Sequence, residues 1–262
     1  MTISFNFKVR CYDPQNALFL ARASQAVYFP DTDIKKFAHE NAGSSEPRIF
    51  KKEGTRGFIA LVEKAAFVAF EGTNEIKDWL TNGDVRFVKG TWGWVHKGFR
   101  DGLNKVWPDM KRFLNDHADA FESIWFTGHS LGGALAMLAA ADFLVEKGKV
   151  DGVYTFGQPR VGDGIFRRYF DHKLYGCTFR FANDRDVVPR VLPRELGYCD
   201  AGRSFYFNLR GKLYQDAQEW QKYLNRFAST AEEALLRYQE LISEEFTDHN
   251  IAGYIKNLEK NQ

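Results

Sequence analysis

Phe126-Thr127-Gly128-His129-Ser130-Leu131-Gly132-Gly133 is the stretch whose reading decides the fold. Residues 124–127 read as the end of a buried strand, and residues 131–146 (LGGALAMLAAADFLVE) as a helix apolar enough to pack beneath a sheet. Between them lies Gly-x-Ser-x-Gly. A sharp strand-to-helix turn lifts the serine hydroxyl above the sheet on a strained backbone, and the residues two before and two after must be small, as Gly128 and Gly132 are. The helix N-terminus favours negative charge forming beside the serine. Ser130 is therefore the candidate nucleophile. The bland alternative, an idle serine at a glycine-softened helix start, sits poorly with the strand-turn-helix setting.

The chain has 262 residues, 44% of them hydrophobic, enough for one buried α/β domain over residues 1–262 with no Pro/Ser/Gly-rich linker. A net charge of +2, with Lys and Arg scattered among Asp and Glu, argues against nucleic acid as a partner. Cys11, Cys177 and Cys199 form an odd set without CxxC or Cys/His ligand spacing, so they read as reduced thiols rather than a zinc site or a disulfide framework. The N-terminal MTISFNFKVRCYDP lacks the apolar core of a signal peptide, and no run approaches the ~18 apolar residues of a transmembrane segment. These features predict a soluble, cytoplasmic protein; unconventional export or a trimmed leader is the alternative.

Asp13-Pro14 reads as an N-cap with proline at the first helical position, followed by the helical pattern ALFLARASQAVYF. Residues 30–47 mix a short helix with a polar loop. Strands are expected over 48–52, 57–63 and 65–70, with Glu63-Lys64 as a tight turn. The third strand runs into Glu71-Gly72-Thr73-Asn74. Ligand chemistry collects at the C-terminal ends of parallel strands, which places Thr73 near Ser130. Backbone N–H groups of Thr73 and Leu131 would then form an oxyanion hole; the alternative is that Gly72-Thr73 is only a turn. Residues 74–99 are rich in aromatics, including Trp79, Trp92 and Trp94, and read equally as a lid or lipid-contacting rim and as a hairpin closing the sheet edge.

Residues 98–117 read as helical, with Pro108 either starting a second helix or kinking the first. After the elbow, strand 152–156, helix 162–172 and strand 177–182 continue an alternation that predicts a sheet with helices on both faces. The last of these strands enters Asn183-Asp184-Arg185-Asp186-Val187-Val188-Pro189, a natural place for a triad acid. Asp186 is favoured because Val187-Val188 would bury it, whereas Asp184 would hold the turn. Residues 203–209 and 212–214 read as a hairpin. Residues 215–246 read as a charged helical pair split by the capping box Ser229-Thr230-Ala231-Glu232; its polar face is read as solvated, with a partner surface or an upper lid as the alternative. Of the six histidines, the order nucleophile, acid, base leaves His249; His39, His96, His117, His129 and His172 read as surface, capping or structural residues.

The segments AFEGTN, VHKGF, FTGHSLGGALA, TFGQPRVGD, NDRDVVPR and DHNIAGY, in order from Ala69 to Tyr254, resemble the class 3, fungal-type lipases of the α/β-hydrolase fold. The resemblance implies a mostly parallel central sheet with helices on both faces. It assigns Asp186 as the acid, His249 as the base and Thr73 as the oxyanion residue, and it makes the region near 74–84 a lid with Trp79 on the substrate side. Glu71 departs from it, since the family often has arginine there, and residues 215–246 match no motif. The implied function is hydrolysis of carboxylic esters of acylglycerols, triacylglycerol or partial glycerides, through an acyl-enzyme at a lipid–water interface, with no metal or organic cofactor. Phospholipase A1 is the runner-up, then a short-chain or feruloyl-type esterase. A catalytically inactive lipid- or protein-binding homologue is the alternative from another class, against which stands the full set of site residues in order.

Overall fold

The computed structural model describes residues 5–42, 46–73, 85–215 and 249–262. Trp79, the proposed lid at 74–84 and residues 216–246 of the proposed helical pair lie outside them.

An eight-stranded sheet organises the described residues, in the order β1-β2-β3-β6-β7-β8-β9-β10. The strands β1 (Arg48–Lys52), β2 (Thr55–Val62) and β3 (Ala65–Phe70) form an antiparallel meander. Then β3, β6 (Ser123–His129), β7 (Gly152–Phe156), β8 (Thr178–Asn183) and β9 (Arg203–Phe207) run parallel, and β10 (Leu213–Gln215) closes antiparallel on β9. Every residue of β3, β6, β7 and β8 is buried. That is why these segments read as continuous apolar runs rather than as alternating strands. The aromatic segment before residue 99 supplies a separate hairpin, β4 (Phe87–Lys89) with β5 (Trp94–His96). It pairs with neither edge of the main sheet, so the expected role of closing that edge is not what this hairpin does.

Helices cover both faces. On one lie α3 (Lys97–Asp116), α4 (Leu131–Lys147) and α5 (Gly164–Leu174), sharing a core with Phe70, Phe126 and Val153. On the other lie α1 (Pro14–Ala26), α2 (Asp31–Ala42) and α6 (Ile251–Glu259), packed over Phe67, Trp125 and Phe181. The start of α1 follows from its sequence: Asp13 accepts a hydrogen bond from the Asn16 backbone N–H at 2.8 Å, and Pro14 needs no such partner. Pro108 lies inside one continuous α3 rather than dividing it. The region 30–47 holds the twelve-residue α2, longer than the short helix its polar composition predicts.

Parallel pairing has one consequence that matters for chemistry. The register aligns Phe70 with Gly128, His129 with Phe156, and Phe156 with Phe181. Four strands therefore end together, delivering Glu71-Gly72-Thr73, Ser130, Gly157 and the 183–186 loop to one edge.

Candidate active site

Ser130 adopts φ 57° and ψ −129°, a conformation rare for a residue with a side chain and costing about 1–3 kcal/mol. Its surroundings hold it there. The Ser130 N–H donates to the Phe156 carbonyl at 2.9 Å, and the Gly133 N–H donates to the Ser130 carbonyl at 3.0 Å. Both flanking glycines are sterically required. A β-carbon at Gly128 would meet the Gly132 carbonyl carbon at 2.2 Å, and one at Gly132 would meet the Phe70 carbonyl oxygen at 2.2 Å. The neighbour is backbone in each case, so neither can yield cheaply. Leu131 is the first residue of α4, and its backbone N–H belongs to the open N-terminal turn.

Asp186 and His249 come from distant parts of the chain and meet in the interior. His249 Nδ1 lies 2.9 Å from Asp186 Oδ1 and 2.8 Å from Oδ2, and both residues are almost wholly buried. A bond to Nδ1 selects the tautomer in which Nδ1 carries the proton and Nε2 keeps its lone pair. Two further groups fix the carboxylate: the Val188 N–H donates to Oδ1 at 2.9 Å, and the Tyr254 hydroxyl donates to Oδ2. Gly157, at φ 60°, lies against the pair, where a β-carbon would come within 2.7 Å of Asp186 Oδ2 and 2.8 Å of His249 Cε1. Gly157 directly follows Phe156, whose carbonyl holds the Ser130 amide, so the elbow and the His249–Asp186 pair flank the same end of β7.

Thr73 follows Gly72, and a β-carbon at Gly72 would lie 3.1 Å from Ser130 Cβ, which puts this strand end beside the serine. Glu71, the departure noted above, is half-buried. Burial raises its carboxyl pKa, with Arg56 and Lys51 opposing the shift. The loop after Asp186 is tied down by Asp200, whose carboxylate accepts from Arg160 at 3.1 Å, Arg180 at 3.3 Å and Arg194 at 2.7 Å. Burial alone would raise the Asp200 pKa, but the three guanidinium groups drive it well below the usual carboxylate range.

His96 accepts the Phe99 N–H as the N-cap of α3, a capping role of the kind expected for it. His129 is different, because it is buried with its ring centroid 4.5 Å from that of His249. Sequence reasoning gave no role to Tyr28 or Tyr254 and read His129 only as a surface, capping or structural residue. The available signals were positional: His129 directly precedes the serine in Gly-x-Ser-x-Gly, and Tyr254 lies five residues after the proposed base.

The family described as "Lipase (class 3)" matches residues 67–196. The chain is 35% identical over 158 residues to "Lipase" of Rhizomucor miehei, covering 55% of this chain and 42% of that protein. It is 32% identical over 222 residues to "Secreted mono- and diacylglycerol lipase 1" of Fusarium solani, covering 76% and 65%. The chain thus spans less than two thirds of the length of these curated relatives. Among solved structures, the lipase from Rhizopus microsporus var. chinensis is similar with TM-score 0.66 and 26% identity, over 78% of this chain and 79% of that one. Another, described as a triacylglycerol lipase whose catalytic centre is formed by a serine protease triad, is similar with TM-score 0.61 and 27% identity, over 73% and 78%.

The relatives also correct one expectation. Those named as secreted point to an extracellular location rather than the cytoplasm. The expectation rested on an N-terminal stretch without a signal-peptide core and on unpaired cysteines, and neither feature identifies the compartment.

Proposed function

We propose that the chain, whose residues 67–196 match the class 3 lipase family, is a serine hydrolase cleaving carboxylic esters of acylglycerols. In this reading Ser130 is the nucleophile, His249 the base and Asp186 the orienting acid, while Thr73 and Leu131 supply the oxyanion N–H groups. As Ser130 Oγ bonds to the ester carbon, His249 Nε2 takes its proton and the carbonyl electron pair moves onto oxygen, facing the two N–H groups. Collapse expels the alcohol, which receives the proton from His249, and leaves an acyl-enzyme. Water then repeats the sequence and releases the fatty acid. Asp186 stays ionised, holds the imidazole tautomer and stabilises the imidazolium. Trp79 and the aromatic 74–84 segment are proposed to contact the acyl chain, on composition alone.

One observation carries this reading: a buried carboxylate–imidazole pair lies against the same strand end that holds a strained serine. A purely structural serine has no need of such strain. The test is a hydrolysis panel of p-nitrophenyl esters, emulsified triacylglycerol, monoacylglycerol and phosphatidylcholine, with Ser130→Ala as control. Turnover of acylglycerols that disappears in the variant is the expected result. A preference for phosphatidylcholine would replace the substrate class, and activity surviving in Ser130→Ala would overturn the assignment of the nucleophile.

A further inference from the structure

The His129 ring is held at both nitrogens. Its Nε2 lies 2.5 Å from the His249 backbone carbonyl oxygen, and its Nδ1 lies 2.9 Å from the Tyr28 hydroxyl. A carbonyl oxygen can only accept, so Nε2 carries the proton. In a neutral ring Nδ1 is then the acceptor, and Tyr28 must donate to it. Burial drives the His129 pKa well below its ordinary value, and the neighbouring His249 lowers it further, which keeps the ring neutral. A single tautomer satisfies both partners.

The chain of contacts continues at Tyr28. Its hydroxyl is packed on Gly72 so closely that a β-carbon there would lie 2.2 Å from the phenol oxygen. Burial raises the phenol pKa well above its usual value, and the Gly72 backbone amide partly offsets this, as an amide placed against that oxygen would. The His129 carbonyl reaches the same spot, 2.7 Å from the position of that β-carbon. Tyr28 itself follows α1, whose Ser24 bonds Thr127 of β6 at 2.8 Å and so fixes the helix over the elbow strand.

We propose that Tyr28 and His129 are positioning residues, a hydrogen-bonded relay that ties the Gly72-Thr73 strand end to the main chain of His249. Resting on the hydrolase reading above, the relay sets the oxyanion donors and the base in one frame. The side chain of the base is fixed by Asp186; its backbone is fixed by His129. Without the relay, the segment carrying His249 loses the hydrogen bond between its backbone and the elbow residue next to Ser130, and the distance over which the proton moves is no longer held. Neither Tyr28 nor His129 is required to touch substrate.

The experiment uses the full chain with Tyr28→Phe, His129→Leu, His129→Gln and the double variant Tyr28→Phe/His129→Leu, assayed on a soluble short-chain p-nitrophenyl ester. The expected kcat losses are about tenfold for Tyr28→Phe and about a hundredfold for His129→Leu, with KM within about twofold, because an interaction acting only through the reacting geometry lowers kcat. Gln keeps a side-chain donor for the His249 carbonyl and recovers about tenfold of the Leu loss; adding Tyr28→Phe to His129→Leu costs nothing further, the mark of two residues acting as one unit. Additive losses, a Gln variant no better than Leu, or lower Tm with unchanged kcat would overturn the relay.

Should the His129 variants not fold, nuclear magnetic resonance of wild type and Tyr28→Phe decides. The His129 nitrogens should report a neutral, Nε2-protonated ring, and the His249 Nδ1 proton should shift and exchange faster in Tyr28→Phe. A charged or Nδ1-protonated His129, or an unmoved His249 proton, refutes the relay. The same spectra read the relay in a protein without esterase activity, which separates its failure from failure of the hydrolase reading.

Discussion

Tyr254 holds Asp186 from one side while holding the backbone of β8 from the other: its hydroxyl donates to Asp186 Oδ2 and accepts the Asn183 N–H at 3.1 Å. The first turn of α6 thereby fixes the carboxylate relative to the strand that delivers it. Tyr254→Phe removes both bonds, a cost of about 1–3 kcal/mol. We expect kcat on a soluble ester to fall about tenfold with KM nearly unchanged, since the loss acts on orientation of the acid rather than on binding. Unaltered kcat alongside a lowered Tm would restrict Tyr254 to a structural role.

Asp186→Asn tests the tautomer argument. The amide can donate to His249 Nδ1 and so favours a proton on Nε2, the nitrogen proposed to accept from Ser130. Loss of about 10⁴ in kcat is the expected scale for such a change. Labelling by a fluorophosphonate should slow in parallel, and rapid labelling of the variant would remove Asp186 from the site.

Gly128→Ala probes the elbow directly. The new methyl would sit 2.2 Å from the Gly132 carbonyl carbon and 2.6 Å from the Gly133 nitrogen, both backbone atoms of the following helix. Destabilisation above about 4 kcal/mol is expected from a clash that only backbone movement can relieve. Soluble expression and a thermal melt give the answer; a variant with wild-type Tm would mean that the turn is looser than its geometry.

Asp200 gives a test in acid. Its pKa is depressed in the folded protein by Arg160, Arg180 and Arg194 acting against burial, so its contribution is complete above the unfolded value of about 3.9 and is lost as the pH falls through the folded value. Asp200→Asn strands buried guanidinium groups and should cost about 3–5 kcal/mol near neutrality. The gap between wild type and variant should stay constant above pH ~5 and narrow below pH ~4. Denaturant titrations across that range would show it, and a gap that widens in acid would contradict the charge network.

His129, although a base, carries a linkage of the same sign. Its folded pKa lies below the unfolded value of about 6.5, so the unfolded chain binds the extra proton and stability falls as the pH drops below that value. His129→Gln removes this titration. Between pH 7 and pH 5 the variant should lose less stability than wild type, whatever its absolute stability; equal pH slopes would mean that His129 is protonated within the fold.

Much of the fold was legible because buried parallel strands and their helices leave strong local marks. The elbow, the capped start of α1 and the strands at 48–52, 65–70 and 152–156 lie where their residues predict. The boundaries of α5 and β8 shifted by one or two residues, within the fraying of element ends. Pro108 was ambiguous from sequence, since whether a proline ends a helix depends on packing around it.

For the candidate site, the sequence by itself determined the chemistry on offer: a serine between two glycines, then an acid, then a histidine, in an order that topology can assemble. What only the tertiary structure decided is how those groups are held. Tyr28 reaches His129 across 101 residues, His129 reaches His249 across 120, and Tyr254 reaches Asp186 across 68. Each is a single hydrogen bond between elements remote in the chain, so neither periodicity nor spacing records it. Patterns in sequence report the local rules that shape a strand or helix; the partners of a buried polar atom are set by which strands pair, and that is a property of the assembled sheet.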